Sequence, residues 1–134
     1  MGSQQLLLIV VGVVLIGIMI AVGMDMFKDQ AVSTNRDSIS NDLIHFAVQA
    51  QKYYRRPSVF GGGAYSFNGL TFSLVSTHAT NSNGTYVLSP DPAGSSDSFV
   101  RITGTGYNTG TDRATPVQLR VTVWSDSTYL ETLN

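Results

Sequence analysis

The sequence has 134 residues, with 8 Lys and Arg against 9 Asp and Glu and a formal net charge of -1. This length suits one small domain, and the near-neutral charge argues against a nucleic-acid-binding protein, which normally carries an excess of basic residues. The absence of cysteine excludes a disulfide scaffold, a thiol nucleophile and a cysteine-ligated metal site. All charged residues lie after position 24.

The first element is an apolar segment from Leu6 to Met24, in which 19 consecutive residues have no polar side chain. As an α-helix rising about 1.5 Å per residue, it matches the roughly 30 Å hydrocarbon core of a bilayer. A secretory signal peptide, the alternative, begins with basic residues and has an apolar run of about 7–15 residues. This segment is longer and no basic residue precedes it, which favours a membrane-spanning or self-associating helix.

The second element is an amphipathic continuation over residues 25–56, which contain neither Pro nor Gly. Apolar residues recur at helical spacing from Phe27 and Ala31 to Tyr54, and polar residues occupy the other side. Pro57 and the glycines at 61–63 end the pattern. The sequence therefore predicts one helix from about residue 3 to about residue 55, about 75–80 Å long.

The remainder of the chain has the composition of short strands joined by turns. Alternating apolar residues predict strands at 70–75, 85–88, 99–103 and, most clearly, 117–124. Pro90, Pro92, Gly94 and the run 104–110 predict turns and loops. The apolar face of such a sheet requires a cover, and residues 25–55 offer the available amphipathic helix.

The predicted fold class is therefore α+β, with a long N-terminal α-helix packed on a small C-terminal antiparallel β-sheet. We divide the chain into an apolar membrane or filament-core helix (1–24), an amphipathic continuation of that helix (25–56) and a β-rich, surface-exposed domain (57–134). Because burial of each Leu, Ile or Val is worth about 1.5–3 kcal/mol, the first part is expected in lipid or against copies of itself.

In this pattern the chain resembles type IV pilins and related filament subunits. The resemblance implies a structural subunit whose apolar helix is held in the inner membrane and then packs in the core of an extracellular, type IV pilus-like helical filament. The implied partners are other copies of the chain, the inner membrane before assembly and the pilus assembly machinery. A pseudopilin or minor subunit and a single-pass membrane-anchored binding domain stay open as alternatives.

The N-terminal residues agree with this resemblance in part. Met1 stands where such subunits often have Phe or Met, whereas Gln5 replaces the usual Glu and Val22 replaces a frequent Pro. Gln5 offers a neighbouring subunit a neutral hydrogen bond, or belongs to a polar cap at the helix start. Pilin precursors have a basic leader, so we expect either a processed chain or export without one.

Three glycines interrupt the apolar segment, at Gly12, Gly17 and Gly23. They permit close helix packing or local unwinding on assembly, although Gly is also simply more frequent in membrane helices than in soluble ones. We therefore predict an assembly role for the following residues: Met1, Gln5, Gly12, Gly17 and Gly23.

The remaining candidates for chemistry are sparse. His45 and His78 are the two histidines, and no nucleophile elbow, HExxH motif, P-loop or dinucleotide fingerprint occurs. Asp91, Asp97 and Asp112 lie in predicted loops, but their spacing matches no calcium loop. We expect no enzymatic activity, no cofactor and no metal site.

Two further motifs have a structural and a functional interpretation. The segment 53–56 reads Tyr-Tyr-Arg-Arg, which suits a subunit or DNA contact but also the negative end of a helix dipole with Tyr rings covering the sheet. We favour the latter. Asn83, in Asn-Gly-Thr, is the one N-x-S/T acceptor and a candidate glycosylation site.

Overall fold

A computed structural model describes residues 2–134, and in that part of the chain one long helix precedes a four-stranded sheet. Helix α1 spans Gly2–Arg55, so the prediction of a single uninterrupted helix is confirmed. A 3-10 turn (Ser58–Phe60) and a four-residue helix, α2 (Phe72–Val75), follow it. The strands are listed in chain order: β1 (Gly84–Ser89), β2 (Phe99–Thr109), β3 (Pro116–Trp124) and β4 (Thr128–Thr132).

The helix ends where the sequence predicts, and the loop that follows supplies its C-terminal cap. Pro57 cannot continue the hydrogen-bond ladder. The chain instead folds back, so that the Gly63 amide donates to the Tyr53 carbonyl at 2.9 Å and the Tyr65 amide donates to the Tyr54 carbonyl at 2.7 Å. These bonds satisfy carbonyls that would otherwise have no partner at the end of a helix.

The sheet is an antiparallel meander in the order β1-β2-β3-β4. Residues on β1, β2 and β3 alternate between buried and more exposed positions, so one face of the sheet is apolar. The predicted strands at 85–88, 99–103 and 117–124 are confirmed within β1, β2 and β3. The α+β fold class is therefore confirmed as well.

The second half of α1 covers the apolar face of the sheet, as predicted. Phe46 lies at the centre of this contact, with its ring 4.9 Å from the ring of Tyr86 and 5.6 Å from that of Phe72, both edge-on. The other buried side chains on this side of the helix are Ile39, Leu43, Ala47 and Ala50. They follow the i, i+4, i+7 spacing of one helix face.

Packing begins later along the helix than the apolar spacing suggests. Phe27 is 79% exposed and Ala31 is also exposed, so the prediction that they belong to the packed face is wrong. Val32 is the first helix residue packed against the core. Residues 25–31 lie beside the end of β2 and the loop after it, and their apolar side chains are not among those packed against the core.

Two of the predictions for the β-rich part are also wrong. The strand predicted at 70–75 is a loop followed by α2, in which Phe72 and Val75 are both buried. These positions are three residues apart and therefore lie on one face of a helical turn. The strand was predicted from a different set, the alternating Leu70, Phe72 and Leu74. The fourth strand is instead β4, which the sequence pattern did not reveal.

The glycine-rich run 104–110 was predicted as a turn, but β2 continues to Thr109. Gly104 and Gly106 lie where α1 crosses the sheet. A Cβ atom at Gly104 would lie 2.6 Å from Cγ2 of Ile39, and one at Gly106 would lie 2.7 Å from its Cδ1. Glycine is required there because it lets the helix approach the strand, not because the chain turns.

Candidate assembly surface

The apolar segment Leu6–Met24 of α1 projects from the domain without contacting it. Each large apolar side chain in this segment is between 46% and 72% exposed, the limits being Val11 and Leu8. An apolar surface of this extent does not stay in water, because burial of each such side chain is worth about 1.5–3 kcal/mol. The segment is therefore a surface for lipid or for another protein.

The same segment meets the requirements of a membrane span. Within residues 2–134, α1 is the one helix that is long and apolar enough to cross a membrane, and none of its most apolar 18-residue window is buried in the domain. Its 19 apolar residues correspond to about 28 Å of helix. Length and composition thus support membrane anchoring of the N-terminal helix.

Of the predicted assembly residues, Gly12, Gly17 and Gly23 lie in this segment, Gln5 directly precedes it, and Met1 is outside the described residues. Gln5 is exposed, and the first turn of α1 has no acidic residue. A methyl group added at Gly12, Gly17 or Gly23 would meet no atom within 4 Å, and the helix continues unbroken through all three. Their assembly role stays a prediction, since one chain by itself gives them nothing to contact.

A polar groove lies where α1 emerges from under the sheet. This overhang groove has a volume of about 600 Å³, and its charged and amide-bearing walls are Asp25, Lys28, Asp29, Arg36, Asn108 and Arg113. Asn108 donates to the Ala31 carbonyl at 3.2 Å, while the Arg113–Asp29 ion pair at 3.8 Å is about 70% exposed on both sides. The end of β2 and the loop after it are therefore tied to the helix by contacts that water weakens.

A cluster of hydrogen bonds around Asp42, which the sequence did not predict, ties α1 to β1 and the loop before it. Oδ2 of Asp42 accepts from the side-chain amides of Asn81 and Asn83 at 2.8 Å each and from the Tyr86 hydroxyl at 2.5 Å. Burial raises the pKa of the Asp42 carboxyl, but these bonds, with Asn83 and Tyr86 foremost, outweigh burial and hold it below its ordinary value of 3.8. Burial and the negative Asp42 raise the pKa of Tyr86.

No local signal in the sequence reveals this cluster, because Asp42 is about forty residues away from its three donors.

The Asp42 cluster also affects the candidate glycosylation site at Asn83. The Nδ2 atom of Asn83, to which a glycan would be attached, donates to Asp42, and the residue is half-buried. Glycosylation of Asn83 stays a prediction, and a glycan would require this hydrogen bond to break.

The aromatic and basic residues at 53–56 separate into two groups. Tyr53 donates to the Asn68 carbonyl at 2.8 Å, and the ring of Tyr54 lies 4.9 Å from that of Phe67. These Tyr rings pack on the loop after the helix rather than along the strands. Arg55 and Arg56 are exposed at the negative end of the helix dipole, where cations are favoured.

The remaining candidate residues have local roles. His45 is exposed on α1, and Nδ1 of His78 lies 2.9 Å from the Thr77 hydroxyl. Asp97 accepts from the Gly94 amide, and Asp112 accepts from the amides of Ala114 and Thr115. Among residues 2–134, no three His, Asp or Glu side chains are placed to share a metal ion.

The chain matches no protein-family model, no curated protein sequence and no solved structure. Its architecture consists of a long helix that is apolar and exposed in its N-terminal half and packs its C-terminal half on an antiparallel sheet. This arrangement is compatible with a pilin-like fold.

Proposed function

We propose that the chain is a pilin, a structural subunit that polymerises through its N-terminal helix into an extracellular, type IV pilus-like filament. The observation that carries this proposal is the apolar segment Leu6–Met24, which is exposed on all sides of the helix at the end remote from the sheet. Before assembly the segment would be held in the inner membrane, and the assembly machinery would transfer it into the filament core.

The division of contacts within α1 supports a polymer. A helix that served only the domain would begin near Val32, where packing on the core begins. The preceding residues add about 45 Å of helix at 1.5 Å per residue, which is longer than a bilayer core requires. In a filament, parallel copies of this extension would cover one another, and many interlocked helices would resist tension.

A second candidate is a monomeric, membrane-anchored binding domain, and the span-length segment supports it. A pseudopilin or minor subunit that primes assembly is a third, and it shares the architecture of the first. We favour a polymerising subunit because the helix extension before Val32 is longer than a bilayer core requires, which an anchored monomer leaves unexplained.

The experiment is to shear cells that produce the protein and to image the released material by negative-stain electron microscopy. We expect fibres several nanometres thick that contain the full chain and that resist mild detergent. Protein that stays with the cells and dissolves in detergent as single chains would contradict the filament proposal and favour the anchored domain.

A charge at the centre of the apolar segment provides the matched test. Val14→Asp is expected to abolish fibres, because an Asp at mid-helix costs about 2.5–3.5 kcal/mol in lipid and has no ion partner in an apolar filament core. Val87→Asp makes the same change at a 59% exposed position on β1, and we expect it to leave fibre yield unchanged.

A further inference from the structure

The side of α1 that faces away from the sheet has a pattern of its own. Its exposed residues include Asp37 and Arg55, and between them Ile44 (51% exposed) and Val48 (44% exposed) form a short apolar ridge. Leu43 and Ala47, one position before each ridge residue, are buried against the domain. This outer face, defined by Asp37, Ile44, Val48 and Arg55, has no covering element in the part of the chain that the structure describes.

The two charges on the outer face lie in register with each other. An α-helix has about 3.6 residues per turn, so about five full turns separate Asp37 from Arg55, which places them on the same side of the helix about 27 Å apart. Neither residue belongs to the ion pairs formed within residues 2–134, which join Arg113 to Asp29 and Arg120 to Glu131.

We propose that a second copy of the chain docks on this outer face with its helix parallel and displaced by five turns, so that Arg55 of one copy pairs with Asp37 of the other. This inference rests on the proposed filament and specifies how neighbouring subunits are aligned in it. The same displacement brings Ile44 opposite Met26, which is 68% exposed and also lies five turns away. This register therefore pairs the opposite charges and sets Ile44 against Met26, while Val48 lies opposite the exposed Gln30.

Two shorter displacements on this face are less favourable. A displacement of about two turns would place Arg55 opposite Val48, and one of about three turns would place it opposite Ile44. Either would press a guanidinium against an apolar side chain and remove water from it without providing an acceptor. Packed helices lie about 8–10 Å apart, a distance that the Arg and Asp side chains span together.

Cysteine cross-linking tests the register directly, because the chain has no cysteine of its own. The double variant Met26→Cys/Ile44→Cys, in sheared fibres from producing cells, is expected to give a ladder of disulfide-linked oligomers on a non-reducing gel. Within one copy the two positions are about 27 Å apart. A disulfide requires Cα atoms within about 7 Å, so each link must join two copies.

The matched control is Gln30→Cys/Ile44→Cys, in which both positions are exposed on α1 but about four turns apart. We expect no ladder from it. A ladder from the control alone, a link to a different protein, or no ladder from Met26→Cys/Ile44→Cys would overturn the proposed register.

Charge reversal provides an independent readout. Asp37→Arg and Arg55→Asp are each expected to lower fibre yield about tenfold or more, since like charges brought together cost several kcal/mol. The combined Asp37→Arg/Arg55→Asp variant is expected to restore it. Asp126→Arg, the same change at an exposed turn, should have no effect.

The outcomes separate this inference from the proposed function. If the unaltered chain forms fibres but the single reversals leave the yield unchanged, or the combined variant does not restore it, the register is wrong and the filament stands. If the unaltered chain forms no fibres, the proposed function is wrong and the register is wrong with it.

Discussion

The two halves of α1 belong to one uninterrupted helix but have opposite surroundings. From Leu6 to Met24 every large apolar side chain is exposed, whereas Ile39, Leu43 and Ala50 have no exposed surface at all. The backbone is the same in both halves because helix formation depends on local hydrogen bonds and on the absence of Pro. Burial depends on what lies opposite, and the chain provides a sheet for the second half only.

The more hydrophobic half of a helix therefore need not be the half that stabilises the fold. The domain depends on a few side chains between Val32 and Tyr54, and the rest of the helix is available for other molecules. Substitutions in the two halves should therefore affect two separate measurements: unfolding of the domain and yield of fibres.

Phe46→Ala should destabilise the domain more than any other substitution considered below. It removes a buried ring that contacts Tyr86 and Phe72, and such truncations cost about 3–5 kcal/mol of the free energy of unfolding. Urea unfolding of the full chain in mild detergent, followed by circular dichroism, measures the change. Leu15→Ala, at a 51% exposed position of the same helix, should leave the domain's transition unchanged. Equal losses from both variants would show that the two halves are not independent.

The next effect is expected from Gly104→Ala, which adds a methyl group where α1 lies close against β2. The new Cβ would lie 2.6 Å from Ile39 and 3.0 Å from Tyr86, and overpacking of this kind costs about 1–3 kcal/mol. The same urea titration measures it.

Gly17→Ala is the matched control in the exposed half, where the added methyl meets no atom of the chain. We expect no loss of domain stability from it, because Ala favours a helix over Gly by about 1 kcal/mol. Its fibre yield tests the assembly role of the glycines, since a close helix contact in the filament would be lost. An unchanged yield would contradict that role for Gly17.

A smaller effect, about 1–2 kcal/mol, is expected from Asp42→Ala, which leaves the donors on Asn81, Asn83 and Tyr86 without their acceptor. Because the pKa of Asp42 is lower in the folded chain than its ordinary 3.8, the charged carboxylate stabilises the fold above that pH. This contribution is lost as the pH falls through the lowered pKa.

Urea unfolding at a series of pH values therefore provides the readout for Asp42. The difference between the unaltered chain and Asp42→Ala should be full above pH 3.8 and should shrink below it. Asp112→Ala, which removes a carboxylate bonded within one exposed loop, should cost less at neutral pH. A difference that grew towards low pH would contradict the role assigned to Asp42.

The smallest effect is expected at the overhang groove. Arg113→Ala removes an exposed ion pair with Asp29, and such pairs contribute about 0.2–1 kcal/mol. The loss should diminish further in high salt because ions screen exposed charges. A loss above about 1 kcal/mol that is independent of salt would show that the groove stabilises the domain more than these contacts explain.

Much of the fold could be predicted from residue patterns that act locally. The prediction of α1 succeeded because residues 24–56 contain no Gly or Pro and because Pro57 and Gly61–Gly63 end the helix. Strand β3 was predictable because its apolar residues alternate without interruption. The exposed segment Leu6–Met24, which forms the candidate assembly surface, was predictable from composition alone.

The errors arose where one short pattern fits two structures. Leu70, Phe72 and Leu74 alternate as in a strand, whereas Phe72 and Val75 have the spacing of a helical turn, and only the surrounding core favours the turn. Strand β4 has three polar residues among five and is defined by its pairing with β3. Neither context is visible within a window of a few residues.

Side-chain polarity and backbone chemistry within a few turns establish that a long helix exists, where it ends and which part of it must leave water. Packing of the helix on the sheet establishes that Gly104 and Gly106 admit the helix rather than turn the chain, and that Asp42 accepts hydrogen bonds from Asn81, Asn83 and Tyr86. Those contacts join residues remote in sequence, and their free energy exists only once the helix lies on the sheet.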